Sequence, residues 1–451
     1  MTHLTVREWG SVPVGQCKSG TCFTRAQADM LLAEARGHPL AHDEGTNILI
    51  DRHDRLIARQ MVGMVASGGC SLEILPKVDP DPAVDLSDGE TPDAARSRLV
   101  RMLDVALGLN LALGGSAEIA RQKETLLEVL IRCFADKLLA EVRRGLPRRY
   151  LAREDNLPAL RGRLDVARQF TVNAVRPDRL ACRFDQLETD TPLMRVMAAA
   201  VVFLGKHARH PETQRKLTEL RHAFAEVPLV PVQRLPWKAV RIDRTNRRWE
   251  SLFALARLLL RREWQTTHHA NVAPQGLTIL FPMNDLFEAY VGALLRRALV
   301  GSGIEVAEQG GRKSCLGEYT GEHLDDGKVF MTKPDIILRK NGEILSIIDT
   351  KWKKLAQDPL DRKHGVGQAD VYQLMAYARL YKCHNLMLLY PEIPGTICGE
   401  RKPFGIAGGS ERLSIATIDV SQHEGKVIER LGALLQTITS KLHLSAISSF
   451  Y

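Results

Sequence analysis

Residues 333–351 read KPDIILRKNGEILSIIDTK: two apolar runs hinged on Asn341-Gly342. Asn-Gly accepts the left-handed backbone of the two-residue turn whose twist matches that of paired strands. The stretch therefore predicts a β-hairpin, with strands over 335–339 and 344–349. Asp335 opens the first strand, and Asp349 closes the second fourteen positions later. Lys351 lies two residues beyond. The strand period of two puts Asp349 and Lys351 on one side and points Thr350 away. The open end of the hairpin thus gathers two carboxylates and an ammonium. Two carboxylates on neighbouring strands suit a hard, oxygen-seeking cation such as Mg2+, with Mn2+ as a possible substitute, and a backbone carbonyl near Thr350 could join them. Such a cation activates water and relieves charge on a phosphodiester. A lysine beside it can orient the water or stabilise the oxyanion.

The flanks fit a mixed sheet covered by helices. Strands are expected over 277–281, 329–331, 385–390 and 414–419, and helices over 285–299, 369–381 and 424–442. In the helix after the hairpin, Gln373 and Tyr377 are four apart and share a face. The segment 268–276, HHANVAPQG, marks a boundary before this third domain, placed at 277–445. His268-His269 have no acidic neighbours at ligand spacing and read as loop.

Upstream, strands are expected over 4–8, 47–50, 56–63 and 71–75. A helix over 25–36 lies among them, capped by Thr24 and closed by Gly37. This makes a β-rich domain over 1–80. Residues 79–93, DPDPAVDLSDGETPD, read as an acidic, proline-rich linker. Thr91-Pro92 start a helix, and further helices are expected over 117–144, 191–207, 211–224 and 245–262. Residues 91–268 are thus a mainly α-helical middle domain. Its basic run 143–163, RRGLPRRYLAREDNLPALRGR, is broken by Gly and Pro and is a candidate contact for DNA or a partner. The fold class is α+β and multidomain.

Lysine and arginine number 62 against 53 acidic residues in a chain of 451, a net +9 that suits a polyanionic partner. No apolar run reaches the roughly 18 residues of a membrane-spanning helix. The amino terminus lacks the apolar core of a signal peptide. Eight scattered cysteines without a C-x-x-C argue against a zinc site and fit thiols in a reducing cytoplasm. Neither 15–21 nor 310–314 orders its glycines and lysine as a phosphate-binding loop, so any nucleotide-driven motor is expected in another chain.

The PD…DTK arrangement resembles the PD-(D/E)xK nucleases over about 278–440. QLMAY, carrying Gln373 and Tyr377, resembles the Q-x-x-x-Y element of RecB-like nucleases. A closer resemblance spans the chain. REWG at 7–10, LEILPKV at 72–78, LRGRLDV at 160–166 and RFDQLETDTPLMRV at 183–196 are similar to the McrC family, as are LFEAYV at 286–291, KPDIIL at 333–338, IDTKWK at 348–353 and YQLMAYARLY at 372–381. McrC proteins are the nuclease subunits of McrBC modification-dependent restriction systems. The resemblance implies a restriction-endonuclease-like C-terminal α/β domain whose catalytic set is Asp335, Asp349, Lys351, Gln373 and Tyr377. It adds Glu288 to Asp335 and Asp349 as a metal ligand. It further implies Mg2+-dependent cleavage of double-stranded DNA, docking of the preceding domains on a McrB-type AAA+ GTPase hexamer, and recognition of modified cytosine by that partner. A non-catalytic adaptor and a stand-alone RecB-like nuclease are the alternatives.

Overall fold

The computed structural model describes residues 2–16, 20–42, 45–67, 69–77, 91–111, 124–261, 278–316, 329–353, 355, 363, 365–392 and 403–439. The chain forms two compact units, one of residues 1–110, 114–126 and 268–451, the other of 111–113 and 127–267. The linker over 79–90, the first part of the expected helix over 117–144, the turn at 268–276 and the end of the last helix beyond 439 lie outside the described residues.

In chain order the first unit begins with β1 (Thr2–Arg7), β2 (Ser11–Pro13), α1 (Arg25–Arg36), β3 (Leu49–Asp51), β4 (Arg55–Ala58), β5 (Met61–Ser67), β6 (Cys70–Leu75) and α2 (Pro92–Leu107). The start of α1 is set locally: the Thr24 hydroxyl accepts from Gln27 N while Thr24 N donates to the Gln27 side chain, a reciprocal capping box. Thr91 caps α2 by one bond, its hydroxyl accepting from Ala94 N. The single strand expected over 56–63 is two, β4 and β5, parted at Arg59-Gln60. Leu31, Ile48, Leu56, Leu72 and Ile74 are fully buried together beneath α1, each worth roughly 1.5–3 kcal/mol in apolar burial.

The second unit holds α3 (Leu126–Arg143), β7 (Arg149–Leu157), β8 (Arg163–Leu164), α4 (Val166–Thr171), β9 (Leu180–Glu188), α5 (Pro192–Gly205), α6 (Pro211–Ala223) and α7 (Glu250–Arg261). α5 packs on α6 and α7, with Met194, Leu204, Trp249 and Leu255 fully buried. This region, expected to be mainly helical, also contains an antiparallel sheet, β7-β9-β8. Its long strands escape sequence reading because β7, RYLAREDNL, is exposed along most of its length. With no face to bury, it lacks the alternation that announces a strand.

The chain then returns to the first unit with β10 (Ile279–Pro282), α8 (Met283–Ala298), β11 (Ile304–Glu308), β12 (Ser314–Leu316), β13 (Val329–Met331), β14 (Ile336–Lys340), β15 (Glu343–Thr350), α9 (Gln368–Tyr381), β16 (Asn385–Pro391), β17 (Phe404–Gly405), β18 (Arg412–Ile418) and α10 (Glu424–Thr439). A six-stranded mixed sheet runs β11-β14-β15-β16-β18-β17. β14 and β15 are the expected hairpin, with Asn341 and Gly342 at φ 51° and 84°. β15 and β16 are parallel neighbours, which places the end of β15 in the interior. The edge strand β11 was not expected from sequence.

β10 does not stay with this larger sheet. It completes the amino-terminal one, in the order β1-β6-β5-β10. The expected domains 1–80 and 277–445 therefore share one compact unit. The junction depends on Gly63 in β5, at φ 129°, where a Cβ would stand 2.0 Å from the Ile279 carbonyl oxygen. Gly63→Ala is expected to destabilise the unit by about 1–3 kcal/mol, as overpacking typically does. An unchanged urea midpoint would contradict this.

Cys70, Cys133, Cys182, Cys315 and Cys383 are free, whereas Cys22 is disulfide-bonded, against the expectation of thiols throughout. Among the described residues no helix is long and apolar enough to cross a membrane.

Candidate active site

The hairpin's open end does bring Asp335, Asp349 and Lys351 together. Asp335 stands one residue before β14 and is tied across to the end of β15. Its Oδ2 accepts from Thr350 N at 2.8 Å and from Thr350 Oγ1 at 2.9 Å. Its carbonyl accepts from Gln309 N at 2.8 Å, which secures it to the end of β11. Thr350, expected to point away from the site, is thus what fixes Asp335. Strict alternation does not govern this contact, because Asp335 lies outside the pleat of β14.

Asp349 is fully buried, and Lys351 Nζ stands 2.8 Å from its Oδ2. Beyond that ion pair, neither carboxylate oxygen accepts a hydrogen bond from the described residues. A buried carboxylate so poorly solvated by the protein is costly. Burial, then the charge of Asp335, pushes its pKa up to about 6, against the pull of Lys351. Asp335 is raised as well, by burial opposing its bonds to Thr350. Burial would depress Lys351, but attraction to Asp349, its hydrogen bond there and Asp335 outweigh it and hold the ammonium protonated.

Gln373 and Tyr377 join the site through Lys351. Lys351 Nζ donates to Gln373 Oε1 at 3.2 Å, Gln373 Nε2 donates to Tyr377 Oη at 2.7 Å, and the tyrosine donates to the Lys333 carbonyl at 3.3 Å. Burial, with the two aspartates near, pushes Tyr377 up to about 12, so it remains a donor. This relay aims the ammonium. Gln373→Ala is expected to slow any reaction that depends on Lys351 by roughly 10–100-fold, the usual cost of removing a supporting bond. Gln373→Glu, which still accepts from Lys351, should recover part of the rate. Equal rates in Gln373→Ala and the native chain would remove the relay from the chemistry.

Glu288 lies on α8, half-buried. Burial, then Asp335, pushes it up to about 8, and a hydrogen bond from the Gln309 side chain opposes the shift. It feels Asp335, but among the described residues no three His, Cys, Asp or Glu side chains gather closely enough to hold a metal ion. Glu288 thus stands near Asp335 without closing a preformed three-carboxylate cage. The two aspartates nonetheless fit magnesium, which commonly takes one or two carboxylates and fills its octahedron with water and substrate phosphate. The donor-starved oxygens of Asp349 are what a cation would satisfy.

Sequence reading missed Gln309, whose backbone holds Asp335 and whose side chain meets Glu288, because nothing marked β11 as a strand. It also missed Lys353, ion-paired with Asp370 at the start of α9.

The family model described as "McrBC 5-methylcytosine restriction system component" matches residues 56–391. No curated protein matches the chain. Among solved structures, the chain is similar to one in an assembly of Thermococcus gammatolerans McrB AAA+ hexamers with bound McrC. The TM-score is 0.70 at 20% identity, covering 97% of this chain and 100% of that one. It is also similar to a chain of the Thermococcus gammatolerans McrBC complex, with TM-score 0.53, 23% identity, and coverage of 66% of this chain and 88% of that one. At such identities the likeness is one of fold.

Proposed function

The chain belongs to the family of McrBC 5-methylcytosine restriction system components, and from that premise we propose that it is the Mg2+-dependent DNA endonuclease subunit of such a system, cutting beside a McrB-type AAA+ GTPase ring. The observation that carries the proposal is the buried Asp349 carboxylate, paired with Lys351, facing Asp335 and short of donors. A purely structural strand end has no use for so costly a group.

In this reading the six-stranded sheet is a PD-(D/E)xK-type core. Asp335 and Asp349 would hold the magnesium ion, and Thr350 keeps Asp335 in place for it. Magnesium supplies Lewis acidity, activating water and easing charge on the scissile phosphate. Lys351 keeps its proton and directs it at that phosphate or the attacking water, with Gln373 and Tyr377 setting its direction. Two aspartates meet one cation, so Glu288 serves as a nearby carboxyl whose protonation eases the crowding of negative charge.

The second unit suits the partner. Phe170 is 77% and Val175 86% exposed in the segment between β8 and β9. Solvent-exposed apolar side chains of this size favour a protein partner over bulk water. One structural neighbour comes from an assembly of McrB AAA+ hexamers with bound McrC, and the same kind of ring is proposed as this chain's partner.

The test is cleavage of methylated double-stranded DNA by the chain with its partner ring, GTP and Mg2+. Chelation should abolish cutting, and Mg2+ or Mn2+ should restore it. Stimulated GTP hydrolysis with no cutting under any divalent cation would sink the enzyme reading and leave an adaptor. Equal cutting by the chain alone would favour a stand-alone nuclease.

A further inference from the structure

Two stretches of the sequence, REWG at 7–10 and Pro76-Lys77 just after β6, have no part in the chemistry above, yet they reach its edge. A cleft of about 290 Å³ brings Trp9, Gln60 and Lys77 opposite Asn284, Lys351 and Lys353. Its walls are held firmly. Glu8 Oε2 accepts from Lys77 N at 3.0 Å, Trp352 Nε1 donates to the Lys77 carbonyl at 3.0 Å, and Trp352 N donates to Asn284 Oδ1 at 3.1 Å. Trp9 sits at φ 66°, a left-handed backbone that a bulky side chain adopts only under constraint. Such strain concentrates where a side chain must be aimed. The Arg59 guanidinium lies 4.4 Å from the Trp9 ring centroid, so the indole is braced as well as aimed.

The lining has a definite chemistry. Trp9 offers an aromatic ring, Gln60 and Asn284 offer amides, and Lys77, Lys351 and Lys353 line the cleft with Glu8, Lys351 and Lys353 being also paired with Asp349 and Asp370. Burial pushes Glu8 up to about 8, which leaves it largely uncharged near neutrality. Aromatic ring, amides and ammonium groups together are what a nucleotide needs: a stacking platform, hydrogen bonds to base edges and cations for phosphate. The volume lies at the small end of ligand pockets, about 300 Å³, which is room for one nucleotide and not for a duplex. Lys351 belongs both to this cleft and to the site with Asp349. We infer that the cleft is a subsite for one nucleotide of the DNA strand next to the bond being cut, with its base against Trp9 and its phosphate toward Lys77, so that the amino-terminal sheet helps position the substrate. This rests on the nuclease reading above.

The test measures binding of a labelled dT8 oligonucleotide to the full chain in EDTA, by fluorescence anisotropy, with dTMP as a competing probe. Trp9→Leu is expected to weaken dT8 binding roughly tenfold, as loss of one stacking partner does, and Trp9→Phe to restore most of it. Lys77→Gln should weaken binding and flatten its salt dependence. Under cleavage conditions with the partner ring, both losses should appear as a raised KM with kcat nearly unchanged. Thermal melting separates these effects from misfolding, and Gln60→Ala, at an exposed position, carries the test if Trp9→Leu does not fold. Unchanged dT8 affinity in folded Trp9→Leu, Lys77→Gln and Gln60→Ala chains would overturn the subsite. So would competition by dTMP as strong as that by dT8, which would mark a free-nucleotide pocket. If these variants behave as expected but the chain with its partner ring cuts under no divalent cation, the nuclease assignment falls and the strand-binding cleft stands.

Discussion

Asp349→Ala is expected to abolish DNA cleavage, with a loss on the order of a thousandfold or more, as for other single groups central to a catalytic set, while stimulation of the partner's GTP hydrolysis persists. The residue sits where β15 ends between β14 and β16, fully buried with Lys351 2.8 Å away. Removing it takes away one proposed metal carboxylate and the counter-charge that steers the lysine. A stability measurement supplies an independent check. Burial and Asp335 raise Asp349 to about 6 in the metal-free fold, above the roughly 3.9 of an unfolded aspartate. The folded state thus binds this proton more tightly, and its contribution to stability is full below about pH 4 and is lost as pH rises through about 6. Metal-free Asp349→Asn should therefore melt higher than the native chain at pH 7.5, and the advantage should vanish by about pH 4. Equal melting temperatures at pH 7.5 would mean that Asp349 is not the strained carboxylate described here, and undiminished cleavage would remove it from the chemistry.

Arg96→Leu is expected to cost about 3–5 kcal/mol of stability, the price of leaving a buried charge without its partner. The charge in question is Glu73 in β6, fully buried. Arg96 Nε and Nη2 donate to it at 2.8 and 2.6 Å, Thr5 Oγ1 at 3.0 Å, and Leu126 N at 2.8 Å. One carboxylate thus ties β1, β6, α2 and Leu126 within the first unit. Burial pushes Glu73 up, but its bonds to Arg96 outweigh that and leave it below the ordinary value. Its contribution is present above the unfolded pKa and is lost as pH falls through the folded one. The double variant Arg96→Leu, Glu73→Leu should recover part of the loss, because apolar replacements remove both desolvation costs together. Denaturant midpoints of the single and double variants decide the matter. An Arg96→Leu midpoint like the native one would show that Glu73 is solvated by other means.

Much of the site was legible before any coordinates. The Asn341-Gly342 turn, with apolar runs on either side, specifies the hairpin and hence the meeting of Asp335 with Asp349 and Lys351. The four-residue spacing of Gln373 and Tyr377 specifies their shared face, and Gln373 reaches Lys351 while Tyr377 bonds Gln373. Other features left no signal. The β7 strand is exposed along most of its length, so nothing in its pattern alternates. β11 is a short edge strand with little to bury, and with it went Gln309. Glu288 was named as a ligand from the family resemblance, because helix phase alone does not fix how far a side chain stands from a cation.

The sequence by itself determined whatever depends on neighbours along the chain: the capped start of α1 at Thr24, the proline-led starts of α2 and α5, and the hairpin with its acids. Tertiary structure alone decided which distant segments share a sheet. β10, more than two hundred residues beyond β5, closes the amino-terminal sheet over Gly63, because hydrogen bonding between strands ignores sequence separation once loop closure is met. That closure joins two regions which composition and spacing divide, and it sets Trp9 and Lys77 beside Lys351.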